Sequence, residues 1–250
     1  MSRKVFKRIY NKICRRRLLA QLPGVDLALQ DYSKVSATTG TQWITLWFAV
    51  RSILRYKPRC ILECGTGAST LVLAAAVQRL RNEDPEYDGR IVSMESVKEW
   101  FDIAQANLPD ACRDVVKLIH GPREKYEVGM FRGYIHGNIP EAPYDFVFLD
   151  GPNFRDENGT AFCADVFRAF DLSPAEEIRG VIDGRASSAF VMQTIFGLAS
   201  VRYFLPALAA TFSVSRLNFH EPFNTTDFSS SVFGRLTLKK FRRQAKRVAR

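Results

Sequence analysis

Short apolar segments alternate with longer helical patterns through the middle of this 250-residue chain. The apolar segments hold four to six residues rich in Ile, Val, Leu and Phe, which predicts buried strands. The predicted strands are residues 60–63, 90–95, 115–120, 145–150 and 180–183. Helical patterns lie between them at residues 69–81, 97–107 and 161–170. Strands that alternate with helices predict a parallel sheet with right-handed crossovers.

Two helices are predicted before the first strand. Residues 3–20 are basic and carry Val5, Ile9 and Ile13 at four-residue spacing, which is typical of an amphipathic helix. Residues 41–56 are rich in tryptophan and aliphatic residues and end before a proline, which predicts a second helix.

The other end of the chain departs from the alternation. A helix predicted over residues 189–210 is followed by strand patterns at 212–219 and 231–239, with no helix between them. Such strands pair in antiparallel fashion. The predicted fold class is α/β, a doubly wound, mostly parallel seven-stranded sheet with a terminal antiparallel strand pair, in a single domain. We divide the chain into a basic N-terminal arm and lead-in (1–38), the folded domain (39–239) and a basic C-terminal tail (240–250).

Positive charge is concentrated at the two ends. The formal net charge is +10, but residues 3–17 contribute eight Lys/Arg and residues 239–250 contribute seven, with no acid in either segment. The rest of the chain holds 21 basic and 26 acidic residues, so the body is acidic. Nucleic-acid enzymes usually carry positive charge around the substrate groove. The basic ends therefore permit nucleic-acid contact but do not make it the first expectation.

Cysteine usage and hydropathy indicate a compartment. The five cysteines are an odd number with no C-x-x-C pair, which favours free thiols over a disulfide framework or a zinc site. No apolar run follows the basic N-terminus as in a secretory signal, and none approaches the ~20 residues that span a bilayer. We expect a cytoplasmic protein, with the basic arm allowing peripheral contact with a membrane.

The junction after the first strand carries the strongest chemical signal. Residues 61–70 read ILECGTGAST, a strand that runs into a glycine turn and then a helix. Gly65 and Gly67 allow a tight turn and close approach of a ligand, and the first N–H groups of the helix point into that turn. Glu63 suits a hydroxyl or an ammonium group better than a phosphate. The turn therefore predicts a site for a nucleoside-like molecule that carries positive charge.

Polar or glycine residues also end the later strands. They are Glu95-Ser96, His120-Gly121 and Asp150-Gly151. A doubly wound parallel sheet binds its ligand outside the carboxyl ends of its strands, so these residues are expected at one site.

Together with the terminal antiparallel pair, these motifs resemble the class I S-adenosylmethionine-dependent methyltransferases over about residues 40–239. The motifs that carry the resemblance are E-x-G-x-G at 63–67, the acid Glu95 and YDFVFLD at 144–150. The resemblance implies S-adenosylmethionine as cofactor. It also implies that Gly65 and Gly67 lie against the methionine portion and ribose, with Glu63 near the amino group. Ser69 replaces a third glycine that is often present, and it could cap the helix.

The resemblance assigns the remaining strand ends as well. Glu95 would accept hydrogen bonds from both ribose hydroxyls, with Ser96 beside it in the cofactor site. His120 and Gly121 would lie near the adenine. Asp150 would lie close to the reacting methyl group.

A nicotinamide-dependent dehydrogenase is the competing interpretation, because it also uses a glycine turn and an acid after the second strand. Its fingerprint has a third glycine three residues after the second, where this chain has Thr70. Glu63 would also repel a pyrophosphate. The motifs therefore favour the methyltransferase.

Methyl transfer to a hydroxyl needs in-line alignment and removal of a proton. Asp150 and Asp183 end neighbouring predicted strands, and His220 follows a later one, so these three are the candidate catalytic residues. Asp183 could instead orient an acceptor or pair with Arg185.

Two strand-end carboxylates could also share a Mg²⁺ ion. Catechol-type O-methyltransferases have acids at the positions of Asp150 and Asp183 and an Asn directly after the second, where this chain has Gly184. We therefore predict no metal ligand and keep a divalent metal such as Mg²⁺ as the less favoured alternative.

The acceptor is predicted only by class. The run Asp150-Gly-Pro-Asn153 differs from the Asn/Asp-Pro-Pro-aromatic motif of amino-methylating nucleic-acid enzymes, which favours an oxygen acceptor. We expect O-methylation of a small molecule or a glycan hydroxyl. The alternatives are an RNA methyltransferase whose Phe6 and Tyr10 stack on bases, and a non-catalytic protein at a membrane surface or on a protein partner. No pattern indicates an oligomeric state.

Overall fold

The computed structural model describes residues 3–36, 42–129, 131–156, 159–204 and 209–219. Within these ranges the helices are α1 (Arg3–Gln21), α2 (Val25–Val35), α3 (Trp43–Tyr56), α4 (Ala68–Glu83), α5 (Lys98–Asn107), α6 (Asp110–Arg113), α7 (Asp165–Leu172) and α8 (Ala186–Phe196). The strands are β1 (Cys60–Cys64), β2 (Arg90–Glu95), β3 (Val116–His120), β4 (Arg123–Val128), β5 (Phe131–His136), β6 (Phe146–Leu149), β7 (Arg155–Asp156), β8 (Gly159–Thr160), β9 (Phe162–Cys163), β10 (Glu177–Ile182), β11 (Val201–Phe204) and β12 (Ala209–Ser215).

A seven-stranded sheet forms the centre of the fold, in the order β11-β12-β10-β6-β1-β2-β3. The five strands from β10 to β3 are parallel to one another. β12 is antiparallel to β10, and β11 is antiparallel to β12. The predicted fold class is therefore confirmed, including the antiparallel pair at the edge.

The residues that form the antiparallel pair differ from the prediction. The helix expected over residues 189–210 is wrong, because α8 ends at Phe196 and Gly197 follows with a φ of 88°. A left-handed φ suits glycine and stops the helix. β11 and β12 then make the pair, and the strand predicted at 231–239 lies outside the described residues.

The segment between β3 and β6 contributes to a second sheet. β4 and β5 form an antiparallel hairpin, and β9 adds to β5 in parallel, which makes a second, three-stranded sheet. Tyr134, Ile135 and His136 in β5 are buried. The hairpin thus adds to the core beside the main sheet.

The predicted amphipathic helix is present as α1, but it buries a different face. Cys14 and Leu18 are fully buried, and the Tyr10 ring packs 5.0 Å from the Phe204 ring of β11. Ile9 and Ile13, which belong to the predicted apolar stripe, remain 47% and 40% exposed. The N-terminal arm is therefore part of the folded unit.

No helix among the described residues combines the length and the apolar character needed to cross a bilayer.

Candidate active site

Three of the predicted site residues lie together at the carboxyl ends of the parallel strands. In β1, Cys64 pairs with Met94 of β2 on one side and with Leu149 of β6 on the other. The residues that follow these three, Gly65, Glu95 and Asp150, therefore lie at the same level. The chain leaves β1 towards β2 and β3 on one side and later returns to β6 and β10 on the other. This reversal makes a crevice between β1 and β6, the place where doubly wound sheets bind ligands.

Gly65 brings two of these strand ends into contact. Its φ is 103°, a left-handed value that favours glycine. A Cβ atom at Gly65 would lie 3.1 Å from the backbone carbonyl of Asp150 and 3.2 Å from the Gly151 nitrogen. A larger residue would push the turn away from the β6 end, so this glycine is required by both conformation and space.

Glu63 lies beneath the turn and is fully buried. Its carboxylate accepts hydrogen bonds from the hydroxyls of Ser69 at 2.6 Å, Thr70 at 2.7 Å and Ser93 at 2.6 Å. Burial raises the pKa of Glu63 to about 7, although the three hydroxyls oppose the shift. Both carboxylate oxygens are engaged within the protein, so this geometry supports a role in bracing the turn. The implied contact with a cofactor amino group stays a prediction.

The helix after the turn begins with a reciprocal cap. The Gly67 N–H donates to the Thr70 hydroxyl at 3.0 Å, and the Thr70 N–H donates to the Gly67 carbonyl at 3.1 Å. Thr70 therefore provides the cap that we expected from Ser69, whose hydroxyl instead binds Glu63. The cap directs the first turn of α4 towards the crevice.

Glu95 ends β2 as predicted, and only 4% of it is exposed. One carboxylate oxygen accepts a hydrogen bond from the Val97 N–H at 2.8 Å. Burial raises the pKa of Glu95, while neighbouring backbone N–H groups and His136 oppose the shift. Ser96 lies in the same loop. The carboxylate is thus held in place by its own loop at the edge of the crevice.

His120 and Gly121 follow β3, next to the Glu95 end. The Gly121 N–H donates to the Glu95 carbonyl at 2.9 Å, and the His120 ring lies 5.7 Å from the Phe101 ring. A Cβ atom at Gly121 would lie 1.9 Å from the Gly137 carbonyl oxygen, so the β4–β5 hairpin approaches too closely for another residue. The structure places this pair beside the crevice with an aromatic neighbour.

Asp150 forms an ion pair with Arg185, which the sequence analysis considered as a partner of Asp183. The Arg185 Nη1 lies 2.6 Å from Asp150 Oδ1, and Nη2 donates to the Asp150 carbonyl. Of the Asp150 side chain, 41% remains exposed. Burial raises the pKa of Asp150 to about 6, with Arg185 opposing the shift and Asp183 adding to it. Asp150 is therefore a partly exposed carboxylate in the cleft with a raised pKa.

Asp183 is held by α3, a contact that the sequence did not indicate. Its Oδ1 accepts hydrogen bonds from the Thr45 hydroxyl at 2.7 Å and the Gln42 amide at 2.9 Å. Burial raises its pKa, and Thr45 opposes the shift. The idea that Asp183 pairs with Arg185 is wrong for the side chain, because Arg185 reaches only the Asp183 carbonyl, at 2.8 Å.

This arrangement fits a divalent cation poorly. The Arg185 guanidinium already supplies the positive charge at Asp150, and two neutral donors occupy Asp183 Oδ1. A cation bridging the two acids would have to displace Arg185 and compete with its charge. The donor set therefore does not favour a divalent cation shared by these two acids.

A buried trio lies behind the glycine turn. His136 Nδ1 is 2.8 Å from Asp165 Oδ2, and the backbone N–H of His136 donates to Asp165 Oδ1 at 2.8 Å. Cys64 is next to the pair, and burial raises the pKa of its thiol well above the ordinary value. A Cβ atom at Gly151 would lie 2.9 Å from His136 Cε1. His136 therefore supports the Gly151 turn from behind, in a fully buried position.

Sequence reasoning missed Gln42, Thr45 and the pairing of His136 with Asp165. Gln42 and Thr45 lie at the start of a segment that was predicted as a helix from its apolar residues. The polar residues at the start of this otherwise apolar helix were the one pattern that could have indicated its contacts with the site. His136 and Asp165 are 29 residues apart in the chain. His220 lies outside the described residues, so its predicted role stays a prediction.

The chain matches no protein-family model and no curated protein. Among solved structures, it is similar to a protein-L-isoaspartate O-methyltransferase at 18% identity and a TM-score of 0.37, over 58% of this chain and 37% of that one. It is similar to a candidate class I S-adenosylmethionine-dependent methyltransferase from Listeria monocytogenes at 14% identity and a TM-score of 0.47, over 96% of this chain and 80% of that one. A third match is a candidate protein-L-isoaspartate O-methyltransferase from Plasmodium falciparum in complex with S-adenosyl-L-homocysteine, at 13% identity and a TM-score of 0.41, over 71% of this chain and 83% of that one.

The chain spans about a third of the length of the first of these proteins. All three matches share less than 25% identity with this chain and have TM-scores below 0.5. The fold is defined by the molecule's own sheet, which is mostly parallel and ends in an antiparallel pair.

Proposed function

We propose that this protein is an S-adenosylmethionine-dependent methyltransferase that acts on a hydroxyl group of a small molecule or a glycan. The observation that supports this most is the register of β6, β1 and β2, which sets Asp150, Gly65 and Glu95 side by side at the switch point of the sheet. One site thus combines a glycine turn, a carboxylate suited to ribose hydroxyls and a carboxylate suited to an acceptor.

The cofactor half consists of the Gly65–Gly67 turn, Glu95 and the His120–Gly121 end of β3. The two oxygens of a carboxylate can accept from two neighbouring hydroxyls, which is the task proposed for Glu95. The His120 and Phe101 rings offer faces against which an adenine can pack. When bound, S-adenosylmethionine supplies an activated methyl group on a sulfonium.

The acceptor half consists of Asp150, Arg185 and Asp183, together with Gln42 and Thr45, which donate to Asp183. Asp150 is the proposed general base, because a pKa of about 6 leaves it ionised and able to accept a proton at neutral pH. Arg185 fixes the Asp150 carboxylate, and Asp183 is positioned to accept a hydrogen bond from the acceptor. The acceptor hydroxyl would transfer its proton to Asp150 as its oxygen bonds to the methyl carbon.

Calorimetric titration of S-adenosylmethionine and S-adenosylhomocysteine into the full-length protein tests the proposal. We expect saturable binding that Glu95→Ala weakens by roughly 100-fold, since about two charge-assisted hydrogen bonds are lost. Glu99→Ala removes an exposed acid four residues further along the chain and should leave binding unchanged. Wild-type protein that binds neither compound would refute the cofactor assignment.

A second candidate function is attachment to an anionic membrane surface through α1. Ile9 and Ile13 are exposed on a helix that also carries exposed Arg8, Lys12 and Arg16. In contrast, the rings of Phe6 and Tyr10 pack against Phe204, which leaves them poorly placed to stack on RNA bases.

Cosedimentation with vesicles of phosphatidylcholine and phosphatidylglycerol tests this attachment. Ile9→Asp should release the protein from the vesicles, whereas Leu27→Asp, at an exposed apolar residue of α2, should not. Equal sedimentation of all three proteins would exclude α1 as the contact.

A further inference from the structure

A cavity of about 660 Å³ lies between α3 and the antiparallel edge of the sheet. α3 contributes Arg51 and Arg55, β10 contributes Arg179, and β11 contributes Arg202. Glu177 is the one acidic residue among the described residues that line it. Four guanidinium groups and one carboxylate give the cavity a strong positive charge.

The balance of ion pairs leaves most of this charge uncompensated. Glu177 forms an ion pair with Arg179 and also accepts a hydrogen bond from the Ser213 hydroxyl. No ion pair between described residues involves Arg51, Arg55 or Arg202. Arg51 and Arg202 are exposed and can turn towards an anion in the cavity.

Polar strand residues line part of the cavity, beside aromatic ones. Thr211 and Ser213 of β12 join Arg179 and Arg202 in its wall, and Phe212 also lines it. The hydroxyl and guanidinium groups give this part of the wall hydrogen-bond donors for an anion.

Aromatic rings complete the wall. Arg55 and Arg179 lie over the Tyr56 ring, at 5.4 and 4.6 Å from its centroid, and Phe48 and Phe204 pack edge to face at 5.8 Å. The stacking with Tyr56 orients two guanidinium groups. Arginines fixed in this way suit the bidentate recognition of phosphate oxygens.

We propose that this cavity binds a phosphate-bearing anion, with Arg51, Arg55, Arg179 and Arg202 as its ligands. The volume is that of a small-molecule site, which can hold a diphosphate together with an attached organic group. The positive charge excludes the chain's own C-terminal segment as the occupant, because residues 220–250 carry eight Lys/Arg and two acids.

The site is separate from the strand ends that form the active site. Arg179 precedes Asp183 by four residues along β10 and the turn after it, a span of about 13 Å at ~3.3 Å per residue. The Phe48 and Phe204 rings and Ile44 lie in one apolar cluster on the same face. The phosphate site therefore does not depend on the proposed methyltransferase activity.

Calorimetric titration of inorganic pyrophosphate into the full-length protein at about 150 mM salt tests the proposal. We expect saturable binding that R51Q/R202Q weakens at least tenfold. R17Q/K117Q removes the same charge from exposed positions of α1 and β3 and should change the affinity less than twofold. Ser52→Glu, which adds a carboxylate to the cavity wall, should cause a loss like that of R51Q/R202Q while keeping every arginine.

Vesicles distinguish the source of the phosphate. Phosphatidylcholine vesicles with 5% phosphatidylinositol 4-phosphate should bind the protein, in competition with pyrophosphate, if the ligand is a lipid headgroup. Pyrophosphate binding without vesicle binding assigns the site to a soluble phosphate compound. Absence of saturable binding to either probe would overturn the proposal, as would an equal loss in R51Q/R202Q and R17Q/K117Q.

Discussion

The two halves of the candidate active site are built in opposite ways. On the β1–β2 side, Glu63 and Glu95 are almost fully buried, and their bonds go to hydroxyls and backbone N–H groups near them in the sheet. On the β6–β10 side, Asp150 is partly exposed, and its partner Arg185 lies 35 residues away in the chain. Asp183 is held by α3, about 140 residues away.

The β1–β2 side is therefore the rigid half of the site, and the β6–β10 side is the half that holds the titratable groups. Neutral donors around Glu63 and Glu95 hold a fixed shape without adding a mobile charge. The β6–β10 side combines carboxylates and a guanidinium in a more exposed cleft, where protonation can change with pH. We therefore expect changes on the first side to alter stability and cofactor affinity, and changes on the second side to alter turnover.

Asp150→Asn should have the largest effect. Loss of a general base lowers turnover by roughly 100-fold or more, while the affinity for S-adenosylmethionine should change little. In the wild type, turnover should rise with pH through about 6, as Asp150 ionises. Kinetics and calorimetry on Asp150→Asn, with the exposed Asp102→Asn as control, measure both quantities. An equal loss of turnover and cofactor affinity would move Asp150 to the cofactor half.

Glu63→Gln should change how stability depends on pH. The folded-state pKa of Glu63 is raised from 4.5 to about 7, so its contribution to stability is present below about 4.5 and lost as pH rises through 7. At about 1.4 kcal/mol for each pKa unit, the wild type should lose roughly 3 kcal/mol over that range. Urea unfolding at pH 5, 7 and 8.5 should show this slope in the wild type and a flatter one in Glu63→Gln. Parallel slopes would contradict the assignment.

Gly65→Ala tests the contact between the two halves. The left-handed φ and the 3.1 Å approach to the Asp150 carbonyl should cost about 2 kcal/mol and also weaken cofactor binding. Gly24→Ala is the matched control, since Gly24 has a φ of 84° with no atom within 4 Å of the added Cβ. It should cost about 1 kcal/mol and leave cofactor binding unchanged. Equal effects on binding would show that the turn does not act through Asp150.

The same contrast explains what the sequence could predict. Local sequence patterns were enough to predict β1, β2, β6 and the glycine turn. Each strand is a short apolar run, and a Gly or an acidic residue marks where it ends. The Arg185–Asp150 pair, the α3 contacts of Asp183 and the His136–Asp165 pair depend on tertiary packing between distant segments. Short strands such as Val201–Phe204 lack a pattern of their own, which is why the terminal pair was predicted at the wrong residues.

The contact between Tyr10 and Phe204 has a consequence for how the protein is made. The two rings lie 5.0 Å apart, yet about 190 residues separate them, nearly the length of the described chain. At the ~5–20 residues per second of protein synthesis, α1 emerges roughly 10–40 s before its partner strand exists. During that interval Tyr10 lacks the aromatic partner that it has in the folded protein. The contact between α1 and β11 therefore forms only after synthesis has reached β11, whereas the packing of α1 on α3 involves segments that are made much earlier.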